Sequence, residues 1–155
     1  MKGERKMNLE TRQLDKAFSR KKAVDAVTLT VSSGTIHGLL GSNGAGKTTF
    51  MKLLSGIYKP DAGEVMYDGN TIFENPDIKD DVLFINDIPY FFNGATLESM
   101  GRFYRSMYPR WSQKRFVQLA EHFSLNVKKP LSQLSKGMKR QASFVLAFSA
   151  RPKVL

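Results

Sequence analysis

The sequence predicts an α/β fold in which a strand-rich half precedes a helical half, and three observations carry this prediction. Residues 26–31 alternate apolar and polar side chains, which is the period of a half-buried strand. A glycine-rich loop at 41–46 joins an apolar run to a segment with helical spacing. Only helical periods follow between residues 96 and 149.

The strand-rich half is predicted to contain six elements. In chain order they are an extended edge segment at 8–18, a strand at 26–31, a buried parallel strand at 35–40, a helix at 47–55, a hairpin of 64–67 with 71–73 around Asp68-Gly69-Asn70, and an apolar strand at 82–85.

The helical half begins with a helix whose apolar face contains Leu97 and Met100. Trp111 precedes Ser112 and has the spacing from Phe116 of a hydrophobic staple around a serine cap. Residues 135–148 form a third helix that is nearly apolar all round and is therefore expected to be buried. The last three residues, 153–155, have the pattern of a strand that is just beginning.

The composition is that of one globular domain of 155 residues, with 41% hydrophobic and 25% charged residues. The absence of cysteine excludes a disulfide framework, a thiolate zinc site and a cysteine nucleophile. The longest apolar runs are far too short to span a membrane, and the charged N-terminus lacks the apolar stretch of a signal peptide. We therefore expect a cytosolic protein, or one held on the cytosolic face of a membrane by a partner.

The net charge is 24 − 14 = +10, which suits an anionic partner. The cations fall in small groups, however, and no basic stripe with interleaved aromatic residues occurs. This pattern does not favour direct binding of nucleic acid. A bound polyphosphate or an anionic membrane leaflet would suit the same sign.

The strongest chemical signal is the segment GSNGAGKTT at residues 41–49, which we call the phosphate loop and which fits G-x-x-x-x-G-K-[ST]. Glycines let successive backbone N–H groups converge on one anion, and the helix that follows adds its positive end. Lys47 supplies a mobile charge for the outer phosphates, and the Thr48 hydroxyl is a ligand for Mg²⁺. The predicted triphosphate-binding residues are Gly41, Ser42, Asn43, Gly44, Ala45, Gly46, Lys47, Thr48 and Thr49.

The phosphate loop resembles the Walker A segment in the ATP-binding subunits of ABC transporters. Residues 134–140, LSKGMKR, resemble the family's LSGGQ signature, and we call them the signature segment. Phe18, 29 positions before Lys47, matches the aromatic residue of the family's A-loop. Together with 58–63 and 151–155, these motifs extend the resemblance over nearly the whole chain, nearest to the bacterial YtrB/BcrA-like group of export or ABC-2 type.

The resemblance implies the fold of an ATP-binding cassette. That fold has a mixed sheet core, an antiparallel β subdomain and a helical subdomain. In this chain it implies a strand-rich nucleotide-binding half at 1–88, a helical subdomain with the signature at 89–140, and a return helix and strand start at 141–155. The helical subdomain would face transmembrane permease subunits.

The resemblance also assigns roles to single residues. Phe18 would stack on adenine, and Lys47 would act in catalysis on MgATP. In the family, the signature of one subunit closes on the γ-phosphate held by a second subunit. Here that role would fall to Ser135, Lys136, Gly137 and Met138. The Q-loop position, which contacts Mg²⁺, falls on Asp87 or, with a slip of one residue, on Asn86.

The chain departs from the family pattern in three places. The Q-loop has no glutamine, and Lys136 and Met138 replace a glycine and a glutamine in the signature. The family's Walker B aspartate, catalytic glutamate and switch histidine would all follow Leu155. We therefore expect a fragment truncated before Walker B, which binds ATP but hydrolyses it poorly by itself.

The leading hypothesis is an ATPase subunit that powers transport, bound to permease subunits at the inner face of the cell membrane. One alternative is a soluble ABC-type ATPase that acts on nucleic acid or ribosomes, but the two cassettes or long insertions usual in such proteins are absent from this sequence. Another is an unrelated loop NTPase such as a kinase or a GTPase, for which the GTP-selecting N-K-x-D run is absent.

Overall fold

The computed structural model describes residues 7–19 and 21–155. Their contacts divide into two compact units. The first, which we call the strand unit, extends up to Phe84 and includes Val154. The second, which we call the helical unit, comprises Ile85–Lys153 and Leu155.

A four-stranded antiparallel sheet with the order β2-β1-β3-β4 forms the strand unit. Its strands are β1 (Leu9–Phe18), β2 (Lys21–Val31), β3 (Ala62–Tyr67) and β4 (Asn70–Thr71). Thr11 of β1 is buried, and its hydroxyl donates to the carbonyl of Val27 at 3.0 Å and accepts from the amide of Leu29 at 3.1 Å. Both hydrogen-bonding roles of this buried hydroxyl are thus satisfied.

β1 lies in the interior of the sheet, so the prediction that residues 8–18 form an edge segment is wrong. Leu9, for example, is opposite Val31 on one side and Tyr67 on the other. The segment looks like an edge in sequence because the side chains of Arg12 and Gln13 are exposed. An interior strand of a sheet with one solvated face carries such polar residues without loss.

The predicted hairpin is confirmed in a shorter form. Tyr67 pairs with Asn70, and Asp68 and Gly69 form the two-residue connection. Both have positive φ, 49° and 78°, as a type I′ turn requires. The turn is tied back to β1 because the Asp68 carboxylate accepts a 2.8 Å hydrogen bond from the Asn8 amide.

Helix α1 (Lys47–Leu54) follows the phosphate loop, as predicted, and packs on the sheet through the buried residues Phe50 and Leu53. The short helix α2 (Pro76–Lys79) adds Ile78 to the same core. Tyr67 is fully buried there, and its hydroxyl donates to the carbonyl of Leu54 at 2.9 Å. The end of α1 is therefore fixed to β3.

Residues 35–40 contradict the prediction of a buried parallel strand. They have no regular secondary structure, and the side chains of Ile36 and Leu40 are almost fully exposed. A strand forms only where a neighbour satisfies its backbone groups, and no strand pairs with 35–40 within the described part of the chain.

The predicted strand at 82–85 is present only as a single bridge. Val82 pairs with Val154 in parallel orientation. The Leu83 amide donates to the Val154 carbonyl at 3.0 Å, and the Val154 amide donates to the Asp81 carbonyl at 3.0 Å. This pairing agrees with the prediction that a strand begins at 153–155.

The helical unit contains α3 (Leu97–Met107), α4 (Gln113–His122) and α5 (Lys136–Ala150), with a 3-10 turn at Leu131–Gln133. The predicted staple is confirmed at α4, where Ser112 accepts from the Arg115 amide at 3.3 Å and the rings of Trp111 and Phe116 are 5.4 Å apart. Val145 and Leu146 place α5 at the centre of the core. In the described ranges, no helix combines the length and apolar character needed to cross a bilayer.

Candidate functional site

The phosphate loop ends at a helix start whose amides are left open. Gly46 is the N-cap of α1 in a left-handed conformation, no side chain caps the helix, and its first turn contains no acidic residue. The first amides of any helix lack intrahelical acceptors and carry the positive end of its dipole. The amides from Lys47 onward are therefore open to an anion.

Lys47 lies across the loop that precedes it. Its ammonium donates two hydrogen bonds of 2.7 Å, one to the carbonyl of Gly41 and one to the carbonyl of Ser42. The turn between these residues and the helix is closed by a 3.2 Å bond from the Ala45 amide to the Ser42 carbonyl. A cation held in this way stands ready to exchange carbonyl oxygens for the oxygens of a phosphate, which bind it more strongly.

Gly46 sets the loop against β2. A Cβ atom at this position would lie 2.0 Å from the carbonyl oxygen of Ala23, closer than side-chain atoms approach. Its φ of +88° is also a conformation that residues with side chains rarely adopt. Both reasons require glycine, so the loop consensus has a local structural cause at this position.

Thr48 is exposed in the first turn of α1 and bears one hydroxyl oxygen. Mg²⁺ is normally held by one or two protein oxygens together with phosphate oxygens and water. A lone hydroxyl beside an anion site fits that pattern. In the described residues no group of three or more acidic, His or Cys side chains forms a metal site, so an ion here would need oxygens from a bound phosphate.

Asp87 lies in the helical unit, and its side chain is exposed. Its amide donates to the side-chain oxygen of Asn86 at 2.9 Å, and its carbonyl accepts a 3.4 Å bond from Nε of Arg140. Arg140 belongs to the signature segment, so the two predicted nucleotide-contacting segments of this unit are joined by a hydrogen bond.

The signature segment presents a second helix start. Ser135 is the N-cap of α5 and accepts a 3.2 Å hydrogen bond from the Met138 amide. Ser135, Lys136 and Gly137 are exposed, while Leu134 anchors the segment in the core. The first turn of α5 also lacks acidic residues, so an anion can approach it.

Phe18 is the last residue of β1, and 47% of its surface is exposed. Its ring contacts the ring of Tyr58 edge to face, with centroids 5.7 Å apart and planes at 67°. The strand pairing places Phe18 opposite Lys21, two residues before the Ala23 that Gly46 touches. The exposed ring and the phosphate loop thus lie at the same end of the β1–β2 pair.

Sequence reasoning placed Tyr58 and Asp61 in the family match at 58–63 but gave neither residue a role in the site, and the structure brings both to this end of the sheet. The Asp61 carboxylate accepts bonds from the Lys16 ammonium at 2.6 Å and from the Ala17 amide at 2.7 Å. These bonds hold the pKa of Asp61 below its usual value, and the bond from Lys16 has the larger effect. The motif gives no contact for either residue, because their partners in β1 are about 40 positions away in the chain.

Comparison with known proteins matches the ABC transporter family over residues 24–155. The ABC transporter ATP-binding protein YtrB of Bacillus subtilis is 33% identical over 147 residues, which are 95% of this chain and 50% of that protein. The xylose/arabinose import ATP-binding protein XylG of Sulfolobus acidocaldarius is 38% identical over 95 residues, covering 55% of this chain and 38% of that protein. The chain thus spans about half the length of the first relative.

Among solved structures, an ATP-binding subunit of an ABC transporter superposes with a TM-score of 0.82 at 26% identity, covering 93% of this chain and 62% of that one. The predicted fold class of an ATP-binding cassette is therefore confirmed for the portion present. The match to the ABC transporter family over residues 24–155 includes both the phosphate loop and the signature segment.

Proposed function

We propose that this chain, which belongs to the ABC transporter family, binds ATP with magnesium as part of a subunit that powers transport across a membrane. Membership of the family implies nucleotide binding. The observation that carries the proposal further is the ammonium of Lys47, held over the loop in front of the uncapped start of α1. A cation on the loop, directly before a helix start that no side chain caps, provides the two kinds of group that bind a triphosphate.

We assign Phe18 to binding the adenine base of the nucleotide. Its ring is partly exposed at the end of β1, at the same end of the strand pair as the phosphate loop. Stacking between adenine and an aromatic ring is favourable and needs only an accessible face. ATP would therefore extend from Phe18 toward Lys47.

Thr48 is assigned to magnesium, and Asp87, or Asn86 in its place, is kept as the predicted Q-loop contact. Bound Mg²⁺ would neutralise charge on the outer phosphates. The Thr48 hydroxyl would hold the ion beside the helix start, while Lys47 would stabilise negative charge that develops on the transferred phosphoryl group.

We assign the signature segment to contact with a nucleotide that is held by a second copy of this chain or by a related subunit. The first turn of α5, in which Ser135, Lys136 and Gly137 are exposed and Met138 is half-buried, would bind the γ-phosphate held by that partner's phosphate loop. We propose further that the helical subdomain, residues 89–140, contacts the permease and so holds the subunit at the inner face of the membrane.

The test measures binding of a fluorescent ATP analogue to wild type, Lys47→Ala and Lys59→Ala. The two variants lose the same charge, but Lys59 contacts the ring of Phe73, away from the phosphate loop in the sequence. We expect Lys47→Ala to weaken binding at least about tenfold, as loss of a charge-assisted phosphate contact should, with little change for Lys59→Ala. Equal affinity of Lys47→Ala and wild type would overturn the proposal.

Magnesium is tested in the same assay by comparing affinity with excess Mg²⁺ and with EDTA. Wild type should bind more tightly with the metal. In Thr48→Val, which keeps the shape of the side chain and removes its hydroxyl, most of this gain should disappear. A full metal-dependent gain in Thr48→Val would remove Thr48 from the site.

A further inference from the structure

We propose that Tyr58 and Asp61 are positioning residues that hold the Phe18 ring ready for the adenine base. The inference rests on the proposed binding of ATP and goes beyond it, because neither residue belongs to the phosphate loop or to the signature segment. It follows from two sets of contacts, one to the ring of Phe18 and one to the strand residues just before it.

Phe18 needs support because it lies where the sheet ends. The last pairing of β1 with β3 joins Asp15 to Ala62, three residues earlier. Ser19, which follows Phe18, has a left-handed φ of 55°. A half-exposed ring at the end of a strand is free to change rotamer, and an unfixed ring must lose that freedom when a base stacks on it.

Tyr58 supplies one contact to the ring and is itself fixed to α1. Its amide donates to the carbonyl of Lys52 at 3.1 Å. The Lys52 ammonium lies 5.1 Å from the centroid of the Tyr58 ring and 3.4 Å from its hydroxyl oxygen. The same helix that begins at the phosphate loop therefore ends at the support for the base, so α1 sets the distance between them.

Asp61 fixes the backbone that carries the ring. Its carboxylate binds the Lys16 ammonium and the Ala17 amide, and its own amide donates to the Asp15 carbonyl at 3.0 Å. Lys16 is only 17% exposed, and its ammonium lies 5.7 Å from the centre of the Phe18 ring. These bonds extend the link between β1 and the loop before β3 up to the residue that precedes Phe18.

The experiment separates the base from the phosphates by measuring the affinities of ATP and of inorganic tripolyphosphate for each variant. Because tripolyphosphate has no base to stack on Phe18, a change in the position of this ring should alter only the affinity for ATP. Removal of an edge-to-face contact should weaken ATP binding about threefold to tenfold in Tyr58→Leu, with tripolyphosphate binding unchanged. Tyr58→Phe keeps the ring and should restore the affinity for ATP.

Tyr90→Leu is the matched control, since Tyr90 makes an edge-to-face contact with Phe92 in the other unit. It should leave the ratio of the two affinities unchanged. If Tyr58→Leu does not fold, as judged by circular dichroism, Asp61→Asn carries the same test, because it removes the charge that binds Lys16 and retains an acceptor for the Ala17 amide.

The outcomes are distinct. Equal weakening of ATP and tripolyphosphate, or no weakening of either, in both Tyr58→Leu and Asp61→Asn would overturn the positioning role and leave the proposed function standing. Failure of wild type to bind ATP would overturn the proposed function and this inference with it.

Discussion

Gly46 and Ala23 approach so closely that a single added carbon at Gly46 would lie 2.0 Å from the carbonyl oxygen of Ala23. The contact joins the phosphate loop to β2, whose partner strand carries Phe18. The clash is with a backbone atom, so an overlap of this size forces the backbone to move. The position of the loop relative to the sheet therefore depends on the absence of a side chain at one residue.

We predict that Gly46→Ala destabilises the chain more than Gly44→Ala. Both glycines have positive φ, +88° and +81°, but no atom lies within 4 Å of a Cβ at Gly44. Gly44→Ala should therefore cost only the left-handed conformation, about 1–2 kcal/mol. Gly46→Ala adds overpacking and should cost roughly 2–4 kcal/mol in total.

Urea denaturation followed by circular dichroism measures both free energies of unfolding. The comparison holds the substitution and the loop constant, so the difference reports the contact with Ala23 alone. Equal destabilisation by the two variants would show that the loop moves away from β2 at no cost.

The local motifs could be predicted from the sequence because their causes are local. The cap at Ser112, the helix start at Ser135 and the hairpin turn at Asp68 depend on residues within a few positions. Helix α1 after the phosphate loop follows from the same short range. Hydrogen bonds and dihedral preferences that act within one turn are encoded where they occur.

The remainder could not be predicted because it depends on which segments meet. Residues 35–40 have the apolar pattern of a buried strand, yet pattern alone cannot supply a partner for their backbone groups. β1 has the pattern of an edge, yet β3 comes back from a distant part of the chain to cover it. Tyr58 and Asp61, although within the family match at 58–63, received no role at the candidate site for the same reason.

We predict that Ser135→Ala and Ser112→Ala lower stability by similar amounts but differ in association. Each serine accepts one hydrogen bond from the amide three residues later, at 3.2 and 3.3 Å respectively. Loss of either cap should cost about 1 kcal/mol. Under the proposed function, only Ser135 also contacts the phosphate held by a second subunit.

ATP-dependent self-association, measured by light scattering with magnesium present, should therefore weaken in Ser135→Ala and remain in Ser112→Ala. Ser112→Ala corrects for the general effect of losing a cap. If both variants associate as wild type does, Ser135 is a structural cap and nothing more.

We predict that the stability of the strand unit falls as the pH drops below about 4, the usual carboxyl range. Hydrogen bonds from the Ala26 amide and then Lys22 lower the pKa of Asp15, and bonds from Lys16 and then the Ala17 amide lower the pKa of Asp61. A pKa that is lower in the folded state adds stability above the unfolded pKa, and this stability is lost as the pH falls through the folded value.

Thermal denaturation between about pH 6 and pH 3, which brackets the usual carboxyl pKa, tests this sign with the double variant Asp15→Asn, Asp61→Asn. At the higher pH the variant should have a lower Tm than wild type. The difference in Tm between the two proteins should become smaller as the pH falls. Glu121→Gln removes an exposed carboxylate of α4 and serves as the control. A difference in Tm that stays constant over this pH range would show that the two carboxylates contribute to stability through their shape instead of their charge.

We predict that Ile36→Ser with Leu40→Ser leaves the free energy of unfolding within about 0.5 kcal/mol of wild type, the usual range for surface sites. Both side chains are almost fully exposed, so they bury almost no apolar area in this fold. Exposed apolar side chains bind hydrophobic dyes and promote association. The double variant should therefore bind less of the dye ANS and scatter less light at high concentration.

Leu53→Ala, at a buried site in the same unit, is the control and should lower the free energy of unfolding by about 2–5 kcal/mol. A comparable loss of stability in the double variant would mean that residues 35–40 are packed in solution, against the structure.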